Sequence, residues 1–270
     1  MLDIAPYLVR PGEPAGLDSR DSHSKHGYEG GKADGEAALA VLTARLADLQ
    51  IRLWAESRQK LLVVLQAMDT GGKDGTIRHV FSGVNPQGVR VWSFGVPNDV
   101  ELAHDYLWRV HRLTPGNGAI TVFNRSHYED VLVVRVRGLV PEHRWRKRFD
   151  HIVQFERMLV DEGTTIVKVF LHISEDEQRK RLQARLDEPD KRWKFAAGDL
   201  ESRKRWDDYT EAYEDALTST STVDAPWYVV PADRKWYRNL VVSSILIRTL
   251  QDMDPQYPES SPELDGLVID

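Results

Sequence analysis

Residues 61–65 are all apolar (Leu61-Leu62-Val63-Val64-Leu65). After Gln66-Ala67-Met68-Asp69-Thr70 the chain continues Gly71-Gly72-Lys73-Asp74-Gly75-Thr76-Ile77. No other stretch limits the fold so tightly. A strand without polar residues needs cover on both faces, which is the condition of a strand inside a parallel sheet. The glycines let backbone N–H groups converge on an anion, and the lysine adds a point charge. A helix starting there contributes the positive end of its dipole. Strand, Gly-Gly-Lys turn and helix in that order make a phosphate-cradling loop.

Two positions depart from the usual G-x-x-x-x-G-K-[S/T] pattern. Ala67 stands where the first glycine belongs, and Asp74 follows Lys73 where a metal-binding hydroxyl is expected. Asp69 is the unusual member of the loop. Beside bound phosphates a carboxylate repels, unless it holds a divalent cation or steers an incoming nucleophile. The plain alternative is a turn-forming aspartate.

Around this unit, strand-like and helix-like segments alternate. Residues 1–35, rich in Gly, Pro, Asp and Ser, read as an irregular arm lying over the domain or partly disordered. From residue 36, Leu39, Leu42, Leu46, Leu49 and Leu53 recur at helical spacing and predict a packing helix, with a coiled-coil partner helix as the alternative. Strands are expected at 61–65, 89–94, 119–123, 164–173 and 227–230. Helices are expected at 74–82, 99–112, 143–160, 174–186, 199–217 and 233–253. In the helix over 99–112, Asp99 is the predicted N-cap and Leu102, Tyr106, Leu107 and Val110 its buried face. Ser174 and Glu177 have capping-box spacing. This alternation predicts an α/β fold, a parallel sheet between helical layers. No linker divides the chain, so one domain over 36–256 is expected, followed by a loose Pro/Ser/acidic tail at 257–270.

The 270 residues carry a net charge of −6, which argues against generalised nucleic-acid binding but permits a local basic channel. Cysteine is absent, excluding disulfide frameworks and thiolate metal sites. There is no basic segment followed by an apolar stretch at the start, and no apolar run approaches the ~20 residues of a membrane span. A soluble, cytoplasmic protein without membrane or nucleic-acid partners is the expectation. His104 and His111 share a predicted helix face but lack the partners a zinc site needs. There is no G-x-S-x-G elbow.

A second motif, Phe123-Asn124-Arg125-Ser126-His127-Tyr128-Glu129-Asp130, follows the third strand. Ligands of such sheets bind beyond the carboxyl ends of the strands, and arginine there grips phosphate through paired hydrogen bonds. Glu129 and Asp130 are candidates to serve a metal, with a solvated loop edge as the competing account. A third element is basic: Arg179, Lys180, Arg181, Arg185, Lys191, Arg192 and Lys194, interleaved with Trp193 and Phe195. It reads as an anion-closing lid, about 179–205, against the alternative of a solvated helix face. Arg135, Arg137, Arg144, Arg146, Lys147 and Arg148 extend a positive track, some of them as surface decoration.

Taken together, Leu65-Gln66-Ala67-Met68-Asp69-Thr70-Gly71-Gly72-Lys73-Asp74-Gly75, Asn124-Arg125-Ser126-His127-Tyr128-Glu129-Asp130, Lys191-Arg192-Trp193-Lys194 and the stretch Ala103 to Arg109 resemble the polyphosphate kinase 2 family over about 27–256. The resemblance implies a three-layer α/β/α P-loop kinase fold, thymidylate-kinase-like, with a central parallel sheet and a helical lid. It implies reversible phosphoryl transfer between inorganic polyphosphate and purine nucleotides, with Mg²⁺ or Mn²⁺. Asp69, Lys73 and Arg125 match the family's catalytic positions. Gly71, Gly72, Lys73, Asp74, Gly75, Thr76 and Arg78 fall on the polyphosphate side. Asn124, Arg125, Tyr128, Glu129, Asp130, Arg135, Arg185 and Lys191 fall on the nucleotide side, and Asp69 and Glu129 serve the metal. Many relatives have aspartate where this chain has Asn124. The Glu129-Asp130 pair resembles the class III branch, which accepts nucleoside mono- and diphosphates (AMP and ADP to ADP and ATP). A homo-oligomer, dimer or tetramer, is compatible with the apolar N-terminal helix and the tryptophans. The rival readings are an ATP-dependent kinase of a small molecule or nucleotide, and a binding module without turnover.

Overall fold

The first expected strand forms as β2, and its neighbours explain why it carries no outward polar residue. The computed structural model describes residues 1–262 and 267–269. In chain order the elements are β1 (Leu8–Val9), α1 (Lys32–Glu56), β2 (Lys60–Ala67), α2 (Lys73–Val80), β3 (Val89–Ser93), α3 (Asp99–Leu102), α4 (Trp108–His111) and β4 (Ile120–Asn124). There follow α5 (Val133–Val136), α6 (Glu142–Asp161), β5 (Thr164–His172), α7 (Glu175–Asp187), α8 (Ala197–Lys204), α9 (Trp206–Thr220), β6 (Trp227–Pro231) and α10 (Lys235–Met253).

The sheet order is β1-β6-β5-β2-β4-β3, with β2 at its centre. β2 runs parallel to both β4 (Val63 opposite Val122) and β5 (Val63 opposite Val167). The chain leaves β2 toward β3 and β4 on one side, then crosses to β5 and β6 on the other. The carboxyl end of β2 is therefore the point where strand order reverses, the place where such sheets hold ligands. Leu61 to Leu65 are buried, with Phe123, Val167, Val169 and Phe170. α1 and α10 pack on each other, α10 also on α2, β5 and β6, whereas α6 packs on β5 and α9. Helices thus cover both faces, as expected for an α/β fold of this kind.

The expectation of a purely parallel sheet is corrected by the N-terminal arm. Residues 1–35 do lie over the domain, but Leu8 and Val9 pair antiparallel with Tyr228 and Trp227 and make the sheet mixed. Tyr7, Val9, Ala15 and Leu17 are buried, and Glu214 accepts hydrogen bonds from the amides of Gly16 and Leu17, both at 2.8 Å. The arm also yields its last residues to α1, because Asp34 caps the helix at the Gly31 amide (2.8 Å). On α1, Leu42, Leu46, Leu49 and Leu53 are buried as their spacing predicts.

Two expected helices are broken. The segment over 99–112 forms two single turns, α3 and α4, because Asp105 takes the amides of Leu107 (2.9 Å) and Trp108 (3.2 Å) and starts a new turn. Its N-cap is Asn98, whose side chain accepts from the Glu101 amide, and Asp99 is the first helical residue. Val110 is buried but Leu102 is exposed. The helix over 199–217 splits at Arg205, which leaves helical geometry (φ −110°, ψ 33°) while its guanidinium donates to the Val136 carbonyl. Ser174 caps α7 as expected, accepting from the Glu177 amide (3.1 Å). Of the expected loose tail, residues 257–261 form no helix or strand, and 263–266 and 270 lie outside the described residues. Among the described residues no helix is long and apolar enough to cross a membrane.

Candidate functional site

The loop after β2 closes through a contact that accounts for Ala67. A Cβ on Gly71 would lie 2.4 Å from the Cβ of Ala67, so only one of these two facing positions can carry a side chain. Here the glycine is at 71, and residue 67 is free to be alanine. Gly72 follows with φ +101°, in the left-handed region that favours glycine. The Thr76 amide donates to the Gly72 carbonyl (2.9 Å) and starts α2. The amides ahead of it are first-turn donors.

Arg181 and Gln178, both on α7, hold the loop from behind. Arg181 donates to the carbonyls of Thr70 and Gly71 (both 3.1 Å), and Gln178 to the carbonyl of Asp69 (3.1 Å). Tyr213 of α9 donates its hydroxyl hydrogen to the Ala67 carbonyl (3.0 Å). Motif spacing indicated none of these supports, although Arg181 had been counted with the basic cluster.

Asp69, Lys73, Arg125 and Glu129 converge at the carboxyl ends of β2 and β4. Arg125 Nη2 donates to Asp69 Oδ1 at 3.0 Å. Arg125 has φ +62° and Thr70 φ +63°, both non-glycine residues in the left-handed region, and such strain clusters at functional sites. Burial works against the Arg125 charge, yet Glu129 and Asp69 outweigh it and raise its pKa. Lys73 is 9 % exposed, and its Nζ donates to the Ala67 carbonyl (3.0 Å). Burial, and then Arg125, lower its pKa to about 8. Burial raises the Glu129 pKa, opposed by Arg125 and Lys73.

A cavity of about 910 Å³ opens in front of these groups. Asp69, Arg125 and Glu129 line one end, and Phe94, Val96, Leu102, Val134, Leu139 and Val140 give it an apolar wall. Asp130 also faces it. Asp130 Oδ1 accepts from Arg148 Nη1 (3.2 Å), Arg109 lies 3.8 Å from Oδ2, and Oδ2 has no hydrogen-bond partner. Burial raises the Asp130 pKa, with Arg148 and Arg109 opposing. Arg137, Arg144, Lys147 and Arg148 of the second basic cluster line the cavity, while Arg146 pairs with Glu142.

Other expected site residues are placed elsewhere. Tyr128 is 0 % exposed and faces the core, not the cavity. Its hydroxyl lies 2.9 Å from both Glu156 Oε1 and Thr220 Oγ1 and accepts from Lys168 Nζ (3.0 Å). Lys168 also reaches Glu156 Oε2 (2.5 Å) and the Thr220 carbonyl (2.7 Å), which satisfies its three donors. Arg135 is held by Asp215 (2.6 Å) and Glu211 (2.7 Å) outside the cavity. Thr76 gives its hydroxyl to the Gly72 carbonyl (3.1 Å), and Arg78 is exposed on α2. Asn124 donates to Asp74 Oδ1 (2.8 Å), joining the end of β4 to α2. An aspartate at 124 would set two carboxylates against each other there. Arg185 pairs with Asp199 (3.0 Å), and Lys191 is exposed and paired with Glu188. Asp199 nonetheless feels the charge of Asp69 and Arg125, which brings the start of α8 over the site.

A mixed sheet, parallel but for its edge strand β1, with a glycine loop and lysine at its switch point and an aspartate–arginine pair in front of them, defines a P-loop kinase-like α/β protein. The chain belongs to the polyphosphate kinase 2 family, whose model, "Polyphosphate kinase 2", matches residues 29–258. It is 60 % identical over 264 residues to a protein of Meiothermus ruber named AMP/ADP-polyphosphate phosphotransferase, covering 98 % of this chain and 99 % of that one. It is 51 % identical over 236 residues to the ADP-polyphosphate phosphotransferase of Rhodopseudomonas palustris, covering 83 % and 82 %. The crystal structure of polyphosphate kinase 2 from Arthrobacter aurescens superposes with a TM-score of 0.92 at 46 % identity, covering 95 % of this chain and 92 % of that one.

Proposed function

We propose that the protein is a polyphosphate-dependent nucleotide kinase that moves a phosphoryl group reversibly between inorganic polyphosphate and nucleoside mono- and diphosphates. The observation that carries this is the convergence of Asp69, Lys73, Arg125 and Glu129 between a phosphate-cradling loop and a large part-apolar cavity. The names of the Meiothermus and Rhodopseudomonas proteins, one AMP/ADP and one ADP, support these acceptors.

The polyphosphate end sits at the amides of Gly72 and α2, and Lys73 neutralises it. The nucleotide lies in the cavity with its terminal phosphate toward Asp69. A nucleotide phosphate oxygen attacks the terminal phosphorus in line, and the bond to the bridging oxygen breaks, leaving the chain one unit shorter. That oxygen is already ionised, so the step needs placement and charge neutralisation more than a general base. Arg125 leaves Asp69 to bridge the two phosphates. The residues fit Mg²⁺ or Mn²⁺, because Asp69 and Glu129 are hard oxygen donors lining the same cavity, and such ions are often held by one or two carboxylates plus substrate phosphates. Asp69 and Glu129 would hold it, and when bound it supplies neutralising charge to the phosphates. The segment 179–205 acts as the lid of a single kinase domain over 36–256, in an enzyme that works in the cytoplasm.

The test is incubation with polyphosphate, Mg²⁺ and each nucleoside mono- and diphosphate, with the products resolved by chromatography. ADP and ATP are expected from AMP and ADP. No product from polyphosphate, together with turnover from ATP and a small acceptor, would overturn the proposal. Asp69→Asn is expected to lose turnover, and near wild-type rates in that variant would remove Asp69 from the site.

A further inference from the structure

One buried ion pair touches no substrate, yet it grips the turn that carries two residues of the site. Glu156 of α6 and Lys168 of β5 are both buried, with Lys168 Nζ on Glu156 Oε2. Such a pair adds little stability, because desolvation offsets most of the attraction. What this one does is hold the chain just after Arg125. Glu156 Oε1 accepts from His127 Nε2 (3.2 Å) and from the Tyr128 hydroxyl (2.9 Å). Residues His127–Asp130 form one 3-10 turn, in which successive side chains point about 120° apart. With His127 and Tyr128 fixed in the core, Glu129 is turned to the cavity, which it lines with Arg125.

Arg125 needs that support. At φ +62° it occupies a region costly to a non-glycine residue, and such a conformation persists only where its surroundings impose it. Ahead of it the sheet does so, because the Arg125 amide donates to the Leu65 carbonyl (3.1 Å). Behind it, Ser126 Oγ accepts from Gln66 Nε2 and from the Tyr128 amide, both at 3.2 Å. Glu156 adds a second hold from below, on two consecutive residues. A carboxylate can only accept, so His127 Nε2 carries the hydrogen.

We propose that Glu156, kept in place by Lys168, is a positioning residue for phosphoryl transfer: as shared acceptor of His127 and Tyr128, it fixes the turn that sets Arg125 against the reacting phosphates. The role rests on the proposed function and adds no contact with substrate. It acts on kcat more than on either KM, because a small shift of the turn misaligns Arg125 in the transition state while both substrates keep their other contacts.

Two double variants separate positioning from packing. Glu156→Leu with Lys168→Met removes both charges and the acceptor. Glu156→Gln with Lys168→Met removes the charges but keeps an amide oxygen for His127 and Tyr128. Both are expected to fold, since apolar or neutral side chains of similar volume commonly replace buried ion pairs without loss, and thermal unfolding checks this. With polyphosphate, ADP and Mg²⁺, the first should lower kcat about tenfold with both KM values within about threefold. The second should keep kcat within about threefold of the wild type. In an Arg125→Ala background the first pair should cost less than about twofold, because the group it positions is gone. His127→Phe frees part of the turn, leaves the ion pair in place and should lower kcat about threefold, so the test stands even if the double variants fail to fold. Retained kcat in the first variant, equal losses in both, an undiminished loss without Arg125, or wild-type kcat in His127→Phe would overturn the role. A wild-type protein that makes no product from polyphosphate would overturn the proposed function itself, and the role with it.

Discussion

Raising the pH from 7 to 9 tests the chemistry at Lys73 directly. Its folded pKa of about 8 lies below the ordinary lysine value of 10.5, because the ammonium is buried and faces Arg125. At pH 7 about nine molecules in ten carry the charge, and at pH 9 about one in ten. If only the charged form neutralises the donor, kcat/KM for polyphosphate falls about tenfold across that interval. Stability moves the other way. Between pH 8 and 10.5 the unfolded chain binds the proton that the folded chain has released, so this group's contribution to unfolding free energy rises with pH. The full swing is of order 3 kcal/mol. Activity should therefore fall about tenfold while the fold persists. The assay is initial rate at low polyphosphate and saturating nucleotide, pH 6.5 to 9.5, with thermal unfolding followed in the same buffers. Bound phosphate raises the lysine pKa, so the kcat limb lies at higher pH than the kcat/KM limb. Lys73→Arg, slower because its geometry differs, should lose the limb near pH 8. A flat kcat/KM to pH 9.5, or loss of activity that tracks unfolding, would refute the reasoning.

Gly71→Ala places a Cβ 2.4 Å from that of Ala67 and should cost about 1–3 kcal/mol of stability, with partial recovery in the double variant carrying Ala67→Gly, both read by thermal unfolding. Tyr128→Phe removes a hydroxyl from the buried Lys168–Glu156 network and should cost about 1–3 kcal/mol while nucleotide KM stays within about twofold. A large KM change with unaltered stability would return Tyr128 to the nucleotide side. Removing divalent cations with a chelator should abolish turnover, restored by Mg²⁺ or Mn²⁺, while the thermal midpoint without substrates stays unchanged.

The local sequence determined the strands, the order of the elements, and the loop and Arg125 motifs, because each is encoded within a few consecutive residues. An all-apolar strand has only a sheet interior to go to, and Gly-Gly-Lys after it has few other uses. Where the sequence misled, the deciding partner was distant. Tyr128 sits inside a binding motif, yet Lys168 and Glu156, 40 and 28 residues further along, draw its hydroxyl into the core. Arg135 looked like part of a basic track until Asp215 and Glu211 closed on it. β1 was illegible because two residues make a strand only when an edge such as β6 offers its unpaired groups. The anchoring of the loop by Arg181 belongs to the same class. Long-range packing chose which charges found acids, and no window along the chain contains that choice.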